Sequence, residues 1–190
     1  MPALRITFMR SCPGPEQLPS DGLPEICLAG RSNVGKSSLL NKLAGERGVA
    51  RTSARPGCTQ FLNLYSADGN FYLVDLPGYG YARAPETERD RWTGWIAEYL
   101  MDRQPLRGVV LLVDARHPCL PNDMEMVDFL RERGRPYIIA LTKSDKLKRG
   151  QLASAARKAQ DMGPVIPVSS VTGDGIRQLK KWLFQAVSRS

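Results

Sequence analysis

The sequence predicts an α/β fold whose central sheet is mostly parallel, holds one antiparallel strand and carries helices on both faces. Short apolar runs alternate along the chain with segments of helical spacing, as in strands and helices packed in layers. The run Val109–Val113 is continuous rather than alternating, the pattern of a strand covered on both faces. Ala67-Asp-Gly-Asn70 joins two strand-like runs with hairpin chemistry, so one strand runs against its neighbours.

The length of 190 residues suits one domain, 1–190, in which residues 1–24 form an N-terminal edge strand and its connection. There Leu4, Ile6 and Phe8 alternate with polar residues, while Ser11–Pro24 is broken by Pro13, Pro15, Pro19 and Pro24. The formal net charge is +8 and the pI about 9.6, above the rough value of 9 that marks nucleic-acid partners. General solubility, or attraction of a nucleotide itself, is the competing explanation. Four scattered cysteines without a CxxC pair, and one histidine, argue against a zinc cluster and for a reducing, cytoplasmic setting. No apolar run nears the roughly 18 residues that span a bilayer, and no signal-peptide core opens the chain, so no membrane partner is expected.

The first buried strand is Ile26–Ala29, and a helix begins at Ser38 with Leu39 and Leu43 on one face. Between them lies Gly30–Ser37, GRSNVGKS, a glycine followed by four residues and Gly-Lys-Ser. Backbone N–H groups of such a loop wrap a β-phosphate, and the helix N-terminus adds positive potential. Gly30 and Gly35 permit the backbone its close approach. Lys36 reaches the β- and γ-phosphates, and the Ser37 hydroxyl can ligate Mg²⁺.

Gly48–Gln60 is basic, contains Pro56-Gly57 and reads as a loop. In it Thr59 is the best-placed hydroxyl for a switch that touches Mg²⁺ and the γ-phosphate, although an ordinary surface threonine fits this stretch equally well. Phe61–Tyr65 and Phe71–Asp75 are the hairpin strands. Asp75 ends the second strand and Gly78 follows three residues later, which suits a metal-linked carboxylate and an amide that senses a γ-phosphate. Glu88–Arg103 has helical spacing, with Trp92, Trp95, Ile96, Tyr99 and Leu100 on one face.

The strand Val109–Asp114 leads into Ala115-Arg-His117, where the lone histidine reads as a loop residue. Asn122 or Asp123 can cap the next helix, which carries Met124, Val127 and Leu130 and ends at Gly134. The strand Tyr137–Leu141 runs into Thr142-Lys143-Ser144-Asp145. A carboxylate there can accept the N1–H and 2-amino N–H of guanine while the Lys143 stem lies against the nucleotide. Lys146, Lys148 and Arg149 make this end basic. Leu152–Met162 is a helix, Val165–Val168 the last strand, and the backbone N–H near Ser170 can meet guanine O6. The closing helix buries Ile176, Leu179, Leu183 and Val187, with Lys180 and Lys181 on its flank.

Together GRSNVGKS, Thr59, DLPG, TKSD and SSVTG resemble the motifs of the translation-factor class of small GTPases, in unpermuted order. AGRSNVGKSSLLN, RPGCTQ, DLPGYGYA, DARHP and LTKSDKL are more closely similar to the EngB/YihA/YsxC family of bacterial ribosome-assembly GTPases. The resemblance covers the chain from about Leu4. It implies a Ras-like P-loop GTPase domain that binds GTP and GDP with Mg²⁺. It also implies slow hydrolysis, a role in large ribosomal subunit assembly with a link to cell division, and contact with the precursor's ribosomal RNA and proteins. A monomer is expected. A nucleotide-gated protein-binding module without RNA contact is the alternative.

The nucleotide contacts implied are Gly30, Arg31, Ser32, Asn33, Val34, Gly35, Lys36, Ser37, Ser38, Pro56, Gly57, Cys58, Thr59, Asp75, Leu76, Pro77, Gly78, Thr142, Lys143, Ser144, Asp145, Val168, Ser169 and Ser170. Ser37 and Thr59 would hold Mg²⁺ directly and Asp75 through water, with Lys36, Thr59, Gly78 and Asn33 in catalytic roles. Asn33 resembles the asparagine with which related GTPases use K⁺ to neutralise charge. Thr142 stands where many GTPases have asparagine, and Tyr79 where Ras-like enzymes place the water-orienting glutamine.

Overall fold

The computed structural model describes residues 3–50, 61–79, 94 and 96–188. One seven-stranded sheet runs through it in the order β1-β3-β4-β2-β5-β6-β7. Its strands are β1 (Ile6–Cys12), β2 (Glu25–Gly30), β3 (Leu62–Ala67), β4 (Phe71–Asp75), β5 (Leu106–Asp114), β6 (Tyr137–Thr142) and β7 (Val165–Pro167). β3 pairs antiparallel with both β1 and β4, and the other pairings are parallel. The single reversed strand follows from the hairpin at Asp68-Gly69, where both residues have positive φ. The α/β class and the one antiparallel strand expected from sequence are therefore both present.

The helices are α1 (Lys36–Ala44), α2 (helical residues 96–102), α3 (Pro121–Glu132), α4 (Arg149–Gln160) and α5 (Ile176–Val187). Alternate residues of the central strands feed two cores. Ile26, Leu28, Val110 and Leu112 pack with Leu39, Leu43, Leu179 and Leu183 of α1 and α5 on one face. Cys27, Ala29, Val109, Leu111 and Val113 pack with Tyr99, Leu100, Val127, Leu130 and Ala159 of α2, α3 and α4 on the other. Burial on both sides explains the unbroken apolar runs of β2 and β5. With helices covering both faces, the sheet presents the carboxyl ends of its parallel strands along one edge, where α/β sheets bind ligands.

Four expectations change. The edge strand β1 forms but starts later and runs on to Cys12 with a register shift between Phe8 and Arg10, and Phe8, in register with Ile6, packs edge-on against Tyr65 yet stays 47% exposed. Neither Asn122 nor Asp123 caps α3: Leu120 is the N-cap and Pro121 takes the first turn, whose missing N–H costs nothing there. α4 begins at Arg149, earlier than its apolar residues indicated. Lys180 is buried rather than on the flank of α5, because it lies one turn after Ile176 on the apolar stripe. Trp92 and Trp95 lie outside the described residues.

Candidate nucleotide site

The glycine-rich loop is the link between β2 and α1, at the carboxyl edge of the sheet's middle. Gly35 has φ +113°, a backbone state L side chains rarely adopt, and it starts α1 so that the helix N-terminus faces the loop. Val34 is buried and anchors the loop from below, whereas Asn33 is exposed. Arg31, Ser32, Lys36 and Ser37 are half-buried and Ser38 is exposed. The Lys36 ammonium donates to the Gly30 carbonyl at 3.3 Å, so its charge lies across the loop a phosphate would fill.

Two further loops hold that loop from the side. The Thr142 hydroxyl, at the end of β6, donates to the Val34 carbonyl at 2.8 Å. The threonine that replaces the common asparagine thus still bonds to the phosphate-loop backbone. Lys143 adopts φ +59°, and its ammonium donates to the Asn33 carbonyl at 2.8 Å and to Asp114 Oδ2 at 2.9 Å. Asp114 is gripped in turn by Arg116, Nε to Oδ1 at 3.0 Å and a terminal nitrogen to Oδ2 at 2.7 Å. Burial raises the Asp114 carboxyl, but the bonds from Arg116 and Lys143 outweigh it and hold it well below the usual carboxylate range.

Asp145 sits in the short turn Ser144–Lys146. The Ser169 hydroxyl donates to its Oδ1 at 2.7 Å and, with the Lys146 charge, keeps the carboxyl ionised by lowering its pKa. Ser169 is fully buried and its oxygen accepts the N–H groups of Val171 and Thr172 at 3.1 and 3.0 Å. Val168 joins the two loops, accepting from the Ser144 N–H at 3.2 Å. The arrangement presents a rigid carboxylate beside the phosphate loop, suited to a base with adjacent donors.

Asp75 closes β4 with 3% exposure, and its Oδ1 has no hydrogen-bond partner. Burial pushes its carboxyl up to about 6, opposed by the Lys36 charge and a hydrogen bond from Asn63. A buried, unsatisfied carboxylate oxygen beside a lysine is costly unless something else completes it. That oxygen is the donor a hard cation takes, and the residues present fit one. Gly78 follows, pressed on the phosphate loop: a Cβ on it would lie 2.8 Å from Ser32 Cα. The Ser32 N–H donates to the Tyr79 carbonyl at 3.2 Å.

The structure therefore brings Gly30–Ser38, Asp75–Gly78, Thr142–Asp145 and Val168–Ser170 to one edge. The side chains of Leu76 and Val168 belong to the core, so only their backbone borders the site. Pro56, Gly57, Cys58 and Thr59 lie outside the described residues. Sequence reasoning missed Asp123: it is fully buried and meets Arg31 and Tyr79, a contact that local sequence cannot reveal. It also gave no role to Asp114 and Arg116, although both stand in the DARHP run.

Residues 25–143 match the family described as 50S ribosome-binding GTPase. The chain is 45% identical over 183 residues to a probable GTP-binding protein EngB of Chlorobium luteolum, covering 94% of this chain and 88% of the relative. To a probable GTP-binding protein EngB of Exiguobacterium sibiricum it is 46% identical over 182 residues, covering 93% and 94%. A crystal structure of a probable GTP-binding protein EngB matches with a TM-score of 0.72 at 28% identity, covering 86% of this chain and 98% of that one. The architecture is the Ras-like GTPase fold, and by sequence and structure alike the chain belongs to the EngB family of GTP-binding proteins.

Proposed function

We propose that the chain is a slow GTP hydrolase whose GTP-bound form grips a precursor of the large ribosomal subunit, acting as a cytoplasmic monomer of one domain. The observation that carries the nucleotide part is the joint between two loops: Lys143 bonds the phosphate loop at Asn33 while Ser169 fixes Asp145 beside it. In this reading Gly30–Ser38 wrap the phosphates and Lys36 meets the β- and γ-phosphates. The Gly78 N–H senses the γ-phosphate, and the Thr59 hydroxyl, outside the described residues, would reach Mg²⁺ and the γ-phosphate. Asp145 accepts the guanine edge, and the Ser170 N–H meets O6. Ser37 and Thr59 would hold Mg²⁺ directly and Asp75 through water. An ion held by these residues would supply charge neutralisation to the phosphates.

Tyr79 is unsuited to orient a hydrolytic water, because its hydroxyl donates to Asp123 Oδ1 at 3.1 Å. That supports looking to the phosphate loop for the compensating charge, with exposed Asn33 positioning K⁺. Replacing K⁺ by Na⁺ is expected to slow wild-type turnover, and Asn33→Ala to be slow in both salts. Equal wild-type rates in the two salts would remove K⁺ from the mechanism.

The ribosomal part is supported by the matched family's description and by the exposed cations Lys146, Lys148, Arg149 and Lys181 at and near the base loop. Lys180, buried in α5, is withdrawn from this surface. Changing Lys148, Arg149 and Lys181 to glutamine is expected to weaken binding to large-subunit particles. It should also flatten the salt dependence by about 0.7–0.9 logarithmic units for each phosphate no longer neutralised. GTP affinity should hold. An unchanged salt slope would point to the alternative, a protein-binding module without RNA contact.

A further inference from the structure

One buried carboxylate outside the residues assigned above joins two parts of the site that are far apart in sequence. Asp123, in the first turn of α3, is fully buried. Its Oδ1 accepts the Tyr79 hydroxyl at 3.1 Å, and its Oδ2 lies 3.3 Å from Arg31 Nε. Neither Arg31 Nε nor Asp123 Oδ2 has a hydrogen bond to any other group among the described residues, so each depends on this ion pair. The backbone repeats the link, since Arg31 and Tyr79 form a parallel bridge and the Ser32 N–H donates to the Tyr79 carbonyl. Gly78 has room for no side chain against Ser32.

The Asp123 carboxylate accepts a hydrogen bond from the backbone N–H of Leu120 at the start of α3, but the helix alone does not account for its burial. A buried charge is unfavourable unless it is paired and hydrogen-bonded, and the partners that complete it are Arg31 and Tyr79. Burial raises the Asp123 carboxyl, while the Arg31 charge and the Tyr79 hydrogen bond lower it. Tyr79 meanwhile has its hydroxyl committed to α3 and serves as an anchor. Arg31 and Tyr79 flank the two segments that would touch the γ-phosphate, and one carboxylate holds both.

We propose that Asp123 is a positioning residue for the nucleotide reaction, tying Arg31 of the phosphate loop to Tyr79 so that Gly78 is set against that loop before GTP arrives. The inference rests on the GTP reading above. A preset Gly78 favours the triphosphate over the diphosphate, because only the former has the group Gly78 would meet. Loss of the tie lets the segment after Asp75 wander and leaves the rest of the pocket intact.

The test compares wild type, Asp123→Asn, Tyr79→Phe and the double variant for GTP-analogue affinity, GDP affinity, kcat and Tm. Each single variant is expected to lose roughly 3- to 10-fold in kcat and in GTP-analogue affinity, the size of ordinary coupling between contacting residues. GDP affinity should stay within about twofold, since the β-phosphate contacts are untouched. The double variant should lose less than the product of the two single losses, because both changes weaken the one bond between Tyr79 and residue 123. A fall in Tm with kcat and the GTP to GDP affinity ratio unchanged or raised would make Asp123 merely structural and overturn the proposal. So would additive losses in the double variant. If Asp123→Asn does not fold, Tyr79→Phe, which removes one hydroxyl and keeps the ring, decides alone. Failure of the underlying reading looks different: wild type itself would then show no preference for guanine over adenine nucleotides.

Discussion

Asp145→Asn is expected to lose GTP affinity by roughly 10²–10⁴-fold while gaining affinity for XTP. Two hydrogen bonds from guanine N1–H and the 2-amino group end on a carboxylate, each worth about 1.5–3 kcal/mol, and every 1.4 kcal/mol is tenfold. The structure adds a reason for the sign. Ser169 donates to Oδ1 at 2.7 Å, so the amide oxygen of the variant is held by Ser169 and its NH₂ turns toward the base. A donor then faces the guanine donors. Xanthine carries a carbonyl at C2 and can accept from the same NH₂. The phosphate contacts are untouched, so a competition titration of GTP against XTP reads the base term alone. If Asp145 served only to shape the turn between β6 and α4, the folded variant would stay selective for GTP, and the base assignment would fail.

Lys36→Ala is expected to weaken the binding of a GTP analogue by about 1.5–3 kcal/mol, or roughly 10- to 150-fold, through loss of a charge-assisted contact. GDP should weaken as well, because the ammonium meets the β-phosphate in either state. Among the described residues Lys36 makes one hydrogen bond, to the Gly30 carbonyl at 3.3 Å, and little of the fold depends on it. Circular dichroism and Tm should therefore stay near wild type. Wild-type affinity in a folded Lys36→Ala protein would defeat the phosphate-loop assignment. The two variants are also independent in space, so their effects on GTP should add.

What could be read from the sequence was whatever depends on near neighbours along the chain. Strand, glycine loop and helix are contiguous from Ile26 to Leu43, so the loop's place at the sheet edge followed directly. The hairpin at Asp68-Gly69 carried its own turn chemistry and with it the one reversed strand. Asp75 and Asp145 were legible because each ends or follows a recognisable strand. Contacts across the fold were not. Asp123 looked like a cap because aspartate is common in first turns; it accepts from the Leu120 backbone at the helix start, but its side-chain partners come from the phosphate loop and from beyond β4.

Lys180 was a different failure. It sits four residues after Ile176 and three before Leu183, on the apolar stripe that the helical period defines, and its charge hid that position. Its burial lowers its pKa, opposed by the charge of Asp68. Phe8 keeps the alternation set by Ile6, but it lies on the outermost strand, where the edge-on contact with Tyr65 covers only part of it. The Thr142 hydroxyl resolved the other way: an apparent departure from the GTPase pattern reaches the phosphate-loop carbonyl by another donor.

The proposed gated grip on the ribosome precursor is tested most directly by co-sedimentation of the full chain with large-subunit precursor particles at fixed salt. GDP, GTP and a non-hydrolysable GTP analogue are supplied in parallel. The expected result is retention on the particles with the analogue, intermediate retention with GTP and release with GDP. Equal retention with all three nucleotides, or none with the analogue, would contradict a GTP-gated factor of large-subunit assembly.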